Sequence, residues 1–224
     1  MRSIPFGLFT LCLLFQFTFF AAFPVAAIGE ERAMQPRLKL LALGDSLTAG
    51  YGLGPGDGLT DVLQARLDEA YGAGVIEVIN AGVSGDTTKG GLARLDWALF
   101  DKPDIALVAL GGNDMLRGLE PAQSFENLNE ILAKLEETSV PVLLAGMLAP
   151  TNMGADYQSE FDAIYPALAG QYDVIYYPFF LEGVALVPDL NQPDGLHPNR
   201  AGVDVIIDNL FASVEALIAK KEQP

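Results

Sequence analysis

The stretch Leu38–Ser46 reads LKLLALGDS, a run of apolar residues that ends in a glycine and two polar side chains. Apolar residues at consecutive rather than alternate positions predict a strand buried on both faces, as in a parallel sheet. Four more runs of this kind follow: GVIEVINAG (74–82), PDIALVALGGND (103–114), VPVLLAGM (140–147) and YDVIYYP (172–178). The segments between them carry helical spacing. Phe125, Leu128, Ile131, Leu132 and Leu135 share one face, as do Val203, Ile206, Ile207, Leu210, Val214 and Leu217. Weaker helical patterns cover about 60–71, 87–99 and 157–169. Five alternations of strand and helix predict one α/β domain with a parallel sheet covered by helices on both faces. The glycine- and proline-rich AGYGLGPGDG (49–58) is too short for a linker and reads as a loop beside the first strand.

Ahead of that domain, residues 1–27 have the layout of a secretory signal peptide. Arg2 stands near the start, an apolar run extends from Ile4 to Phe23, and Val25 and Ala27 satisfy the small-residue rule for cleavage after Ala27. The run is also long enough for an uncleaved anchor, but cleavage is the expectation, with residues 28–37 as a short lead-in. The single cysteine, Cys12, lies inside the leader's apolar run, which argues against a lipoprotein. A mature chain without cysteine has no disulfide, no cysteine nucleophile and no cysteine-ligated zinc. The expected destination is the periplasm or the medium. A formal net charge of −16 repels phosphate backbones, so no nucleic-acid partner is expected, and once the leader is removed no stable membrane span is expected either. A monomer is the expected state.

In open α/β sheets ligands bind beyond the carboxyl ends of the strands. The first strand exits into Gly44, Asp45 and Ser46, the second into NAGVSGDT (80–87), the third into GGND (111–114). PDGLHPNR (193–200), with the chain's one histidine, follows the fifth strand. Acyl transfer needs a nucleophile, a base, a group that orients the base, and donors for the developing oxyanion. Ser46 is placed to be the nucleophile, or simply a helix-capping or turn serine. Asp194 and His197, three residues apart in one loop, can act as orienter and base, although Asp194 ahead of Gly195 is also a common turn pair. Gly85 can offer an unobstructed backbone N–H and Asn113 a side-chain amide, or both are ordinary loop residues. All five fall at the same edge of one inferred sheet, and that shared placement favours the catalytic alternative.

These stretches carry a resemblance. ALGDSLTAGYG (42–52), NAGVSGDTT (80–88), LGGNDMLRG (110–118) and DGLHPN (194–199) resemble, in order, the four sequence blocks of the SGNH, or GDSL, hydrolase family. GLARL, LRGLEP, AIYPALA and YPFFLEGVAL are similar to stretches that its secreted bacterial arylesterase, thioesterase and lysophospholipase members carry between the blocks. The resemblance covers about residues 38–215. It implies a three-layer α/β/α, flavodoxin-like fold with a five-stranded parallel sheet over residues 38–224. It also implies a cofactor-free serine hydrolase of aryl esters, acyl-thioesters and lysophospholipids, with acyl esters as its small-molecule or lipid partners. Ser46 would be the nucleophile, His197 the base and Asp194 its orienter, with the N–H groups of Ser46 and Gly85 and the Asn113 amide as oxyanion hole. Gly82 is a second candidate for the glycine donor, but SGDT favours Gly85. Asp45, Leu116, Leu148, Met153 and Tyr157 are candidate substrate-binding residues, the last three in LAPTNMGADYQ (148–158) as an acyl-binding wall. DMLRGLE (114–120) is a candidate mobile loop.

Other readings find less in the chain. It contains no G-x-S-x-G elbow, no dinucleotide fingerprint in the right place and no G-x-x-x-x-G-K-[ST] phosphate loop. A metal-assisted phosphoesterase drawn from Asp45, Asp114, Asp194 and His197 has a poor ligand set for a transition metal. A carbohydrate acetylesterase of the same family and a non-catalytic exported binding domain are the remaining alternatives.

Overall fold

In the computed structural model, which describes residues 38–223, the five apolar runs pair as one parallel sheet in the order β2-β1-β3-β4-β5. Its strands are β1 (Leu38–Gly44), β2 (Ile76–Gly82), β3 (Ile105–Ala109), β4 (Val142–Ala145) and β5 (Ile175–Tyr177). This 2-1-3-4-5 order is that of flavodoxin-like doubly wound sheets. The proposed leader (1–27) and the lead-in (28–37) lie outside the described residues.

β1 and β3 pair with Leu40 opposite Ile105 and Gly44 opposite Ala109, so both strands end level. β1 and β2 end level too, Gly44 opposite Gly82. Leu40, Leu41, Leu43, Ile105, Leu107 and Val108 are fully buried, which is why these strands read as unbroken apolar runs.

The described helices are α1 (Ser46–Ala49), α2 (Leu59–Tyr71), α3 (Thr88–Ala93), α4 (Leu95–Ala98), α5 (Gly112–Leu116), α6 (Pro121–Glu137), α7 (Ala155–Asp162), α8 (Ile164–Ala169) and α9 (Arg200–Glu222). α2 packs against α9, while α6 packs against α3, α7 and α8. Pro121 opens α6, where a missing N–H costs nothing, and Leu128, Ile131, Leu132 and Leu135 form its buried stripe. Asn199 caps α9 by accepting from the Gly202 N–H at 3.1 Å. Among the described residues no helix is long and apolar enough to cross a membrane.

Two predicted helices are interrupted. The 87–99 pattern divides at Arg94, whose φ of −109° and ψ of 5° leave the helical region, and ends in a 3₁₀ turn at Leu99–Asp101. The 157–169 pattern divides at Ala163, where Pro166 cannot donate to the carbonyl of Asp162. The fifth strand is three residues long, shorter than its apolar run.

Candidate active site

β1 delivers its carboxyl end directly into α1, and Asp45 makes the junction. Its carboxylate caps the helix by accepting from the Leu47 N–H at 3.0 Å, and its backbone carbonyl accepts from Ala49 N–H at 2.9 Å. Close packing explains the flanking glycines. A Cβ on Gly44 would fall 1.9 Å from Thr48 Oγ1, and one on Gly82 would fall 2.3 Å from the backbone nitrogen of Ala49. α1 thus rests on the ends of β1 and β2 with no room for a side chain, and Ser46 stands at its first position.

The last loop reaches Ser46 from 151 residues away. His197 Nε2 lies 2.9 Å from Ser46 Oγ, and His197 Nδ1 lies 2.7 Å from Asp194 Oδ2. With the Nδ1 proton donated to Asp194, Nε2 has a free lone pair for the serine hydroxyl. The other oxygen of Asp194 accepts the backbone N–H groups of Leu196 at 2.9 Å and His197 at 3.1 Å. Those two N–H groups and the imidazole hold the Asp194 carboxyl down to about 2. The loop is itself anchored: Gln192 N–H donates to the His197 carbonyl at 2.7 Å, and the Gln192 side chain donates to the carbonyls of Tyr51 and Pro198. The Tyr51 ring lies over the imidazole with centroids 4.6 Å apart.

Asn113 sits near the start of α5, just after β3. Its Nδ2 donates one hydrogen to Asp45 Oδ2 at 3.2 Å, which leaves the second for another acceptor. Gly85 takes a φ of +86° in the turn after β2, a conformation suited to glycine, and its carbonyl accepts from Arg117 Nη2 at 2.6 Å. Asp45 is 2% exposed and both its oxygens are occupied from within, so it stands behind the site rather than on a substrate-facing wall. Burial pushes its carboxyl up to about 6, against the pull of the Leu47 N–H, the Asn113 amide and His197.

The other expected site residues spread around the same edge. Leu116, at the end of α5, is 55% exposed, and Leu148, after β4, is 43% exposed. Met153 is half-buried in the turn before α7. Tyr157 stacks on Phe161, and its hydroxyl donates to the Leu119 carbonyl at 3.0 Å, tying α7 to the 114–120 loop. Asp114 turns away into a buried network, accepting from Thr88 N–H, Thr88 Oγ1 and Ser124 Oγ at 2.8, 2.6 and 3.1 Å. It therefore does not join Asp45, Asp194 and His197 in one set. Among the described residues no group of three or more His, Cys, Asp or Glu side chains is arranged to hold a metal ion. Tyr51, Gln192 and Arg117 were not among the sequence candidates. Their contacts cross the fold and have no local signature.

Comparison with known proteins places the chain in a family. The GDSL-like Lipase/Acylhydrolase family matches residues 42–205. The chain is 41% identical over 181 residues to "Esterase TesA" of Pseudomonas aeruginosa, covering 80% of this chain and 89% of that protein. It is 40% identical over 180 residues to "Thioesterase 1/protease 1/lysophospholipase L1" of Escherichia coli K12, covering 80% and 84%. The crystal structure of AlinE4, described as an SGNH-hydrolase family esterase, superposes with a TM-score of 0.69 at 47% identity, covering 86% of this chain and all of that one. The chain belongs to the GDSL-like lipase/acylhydrolase family.

Proposed function

We propose that the protein is an exported serine hydrolase that cleaves carboxylic esters and thioesters through an acyl-enzyme on Ser46. The observation that carries this reading is the unbroken hydrogen-bonded run from Ser46 Oγ through His197 to Asp194. Ser46 Oγ attacks the acyl carbon while His197 Nε2 takes its proton, and Asp194 steadies the resulting imidazolium. The oxyanion is met by the N–H groups of Ser46 and Gly85 and by the second hydrogen of the Asn113 amide. Collapse expels the alcohol or thiol, which leaves with the proton from His197. Water then repeats the sequence on the acyl-serine and releases the acid.

Aryl esters, fatty-acyl thioesters and lysophospholipids are the proposed substrates. Exposed apolar side chains in the loops around the sheet edge support this choice: Tyr51 after β1, Leu116 after β3, Leu148 after β4, and Leu196 beside His197. The names of the relatives, esterase and thioesterase/lysophospholipase, point the same way. Export through cleavage after Ala27 and a monomeric working state complete the proposal. A rate survey over p-nitrophenyl esters of increasing chain length, acyl-thioesters, a lysophospholipid and acetylated sugars tests it. Activity on the first three classes is expected, and a preference for acetylated sugars would contradict the substrate assignment.

A further inference from the structure

The turn that carries Gly85 is fastened at both ends. Val83 N–H donates to the Gly44 carbonyl at 3.1 Å, and Asp86 N–H closes the turn onto the Val83 carbonyl at 3.0 Å. The same Gly44 carbonyl accepts a second bond, from Arg94 Nη2 at 2.8 Å, while Arg94 Nε donates to the Asp86 carboxylate. Arg94 therefore spans from the last residue of β1, two positions before Ser46, to the residue immediately after Gly85. The two side chains are 17% and 18% exposed, and Arg94 Nη1 is buried without a partner among the described residues.

Stability alone is a poor reason for this arrangement. A mostly buried ion pair returns little net free energy, and an unused buried donor costs some of it. What a guanidinium supplies here is reach, since its rigid fork meets a carbonyl and a carboxylate at once where an ammonium offers only a point charge.

We propose that Arg94 is a positioning residue whose bridge from the Gly44 carbonyl to the Asp86 carboxylate sets the separation and direction of the Ser46 and Gly85 backbone N–H groups. The inference rests on the oxyanion hole proposed above. Arg94 acts through the end of β1 and the turn that follows β2. Without it the backbone bonds of the turn, the Arg117 bond to the Gly85 carbonyl and the Thr88 bonds to Asp114 remain, but the Asp86 carboxylate loses its tie to the end of β1, and the turn can shift relative to Ser46.

The test uses the full chain, with R94A, R94K, D86N and R94A/D86N compared in p-nitrophenyl ester hydrolysis, thermal melting and affinity for phenylboronic acid, a tetrahedral adduct former at serine nucleophiles. R94A is expected to lower kcat by roughly 10- to 100-fold with KM changed less than about twofold, because misplacement on the order of 1 Å costs up to about 10²-fold. Boronic acid affinity falls with kcat, R94K recovers little, and added guanidinium raises the rate of R94A where methylammonium does not. The double variant is no slower than R94A, since the two side chains hold one bridge. A folded R94A with kcat within about twofold of the parent, a loss confined to KM, or multiplying losses in the double variant would overturn the proposal. If R94A does not fold, a folded D86N with unchanged kcat overturns it equally. S46A runs in parallel: residual full activity there defeats the acyl-serine mechanism on which the oxyanion hole depends, whereas an inactive S46A beside an unaffected R94A defeats only the role of Arg94.

Discussion

Asp45 is the residue where stability and activity pull apart. Burial keeps it protonated up to about pH 6, whereas in the unfolded chain it releases its proton near 3.8. Stability from this group is therefore fully present below about pH 4 and is lost as pH rises through about 6. At neutral pH the ionised carboxylate costs the folded state roughly 3 kcal/mol. Asp194 works in the opposite direction: its contribution is present above the unfolded value and is lost as pH falls through about 2. Asp45→Asn should flatten the dependence of the melting temperature on pH between about 4 and 6. It should also lower kcat by about 10-fold, because two amide donors would then face each other and Asn113 would turn. Melting curves across pH, with kcat at neutral pH, check this; an unchanged pH slope or an unchanged kcat contradicts it. Asn113→Ala should cost about 10²- to 10³-fold in kcat, and a loss seen only in KM would make Asn113 a substrate contact instead.

At the scale of elements, the serine is held by the absence of side chains beneath it. Gly82→Ala would drive a methyl into the backbone of α1, so a loss of about 1–3 kcal/mol in denaturant unfolding is expected, accompanied by lower activity. Unaltered unfolding would mean that α1 can lift away freely. Tyr157→Phe removes the bond from α7 to the Leu119 carbonyl. KM for long-chain esters should rise while short-chain esters are unaffected, and equal effects on both would deny the 114–120 loop a part in acyl binding. β1, β3 and β4 were legible in sequence because burial on both faces leaves unbroken apolar runs, and α6 and α9 because one-sided burial leaves a 3.6-residue stripe. The interruption at Arg94 was not legible, and the one at Ala163 was signalled by Pro166 but not by the apolar pattern. Short helices on either side of a break continue to present the same apolar face, so periodicity runs through it.

Over the whole molecule, the sheet order gathers strand ends level with one another, and the loops after β1, β2, β3 and β5 supply the candidate site. Ser46, Gly85, Asn113, Asp194 and His197 were candidates in the sequence because each follows a strand in a polar, glycine-marked stretch, and their proposed roles came from the family resemblance. Tyr51 against His197, Gln192 on the Tyr51 carbonyl and Arg94 between Gly44 and Asp86 could not be read there, because such contacts exist only once distant segments are folded together. In the proposed mechanism acyl transfer passes through Ser46. Rapid acid quench during turnover of a p-nitrophenyl ester, followed by peptide mass analysis, tests it most directly. The expected result is the acyl group on the peptide containing Ser46, accumulating with a burst of p-nitrophenol and absent from Ser46→Ala. Turnover with no such adduct, or undiminished turnover by Ser46→Ala, would contradict it.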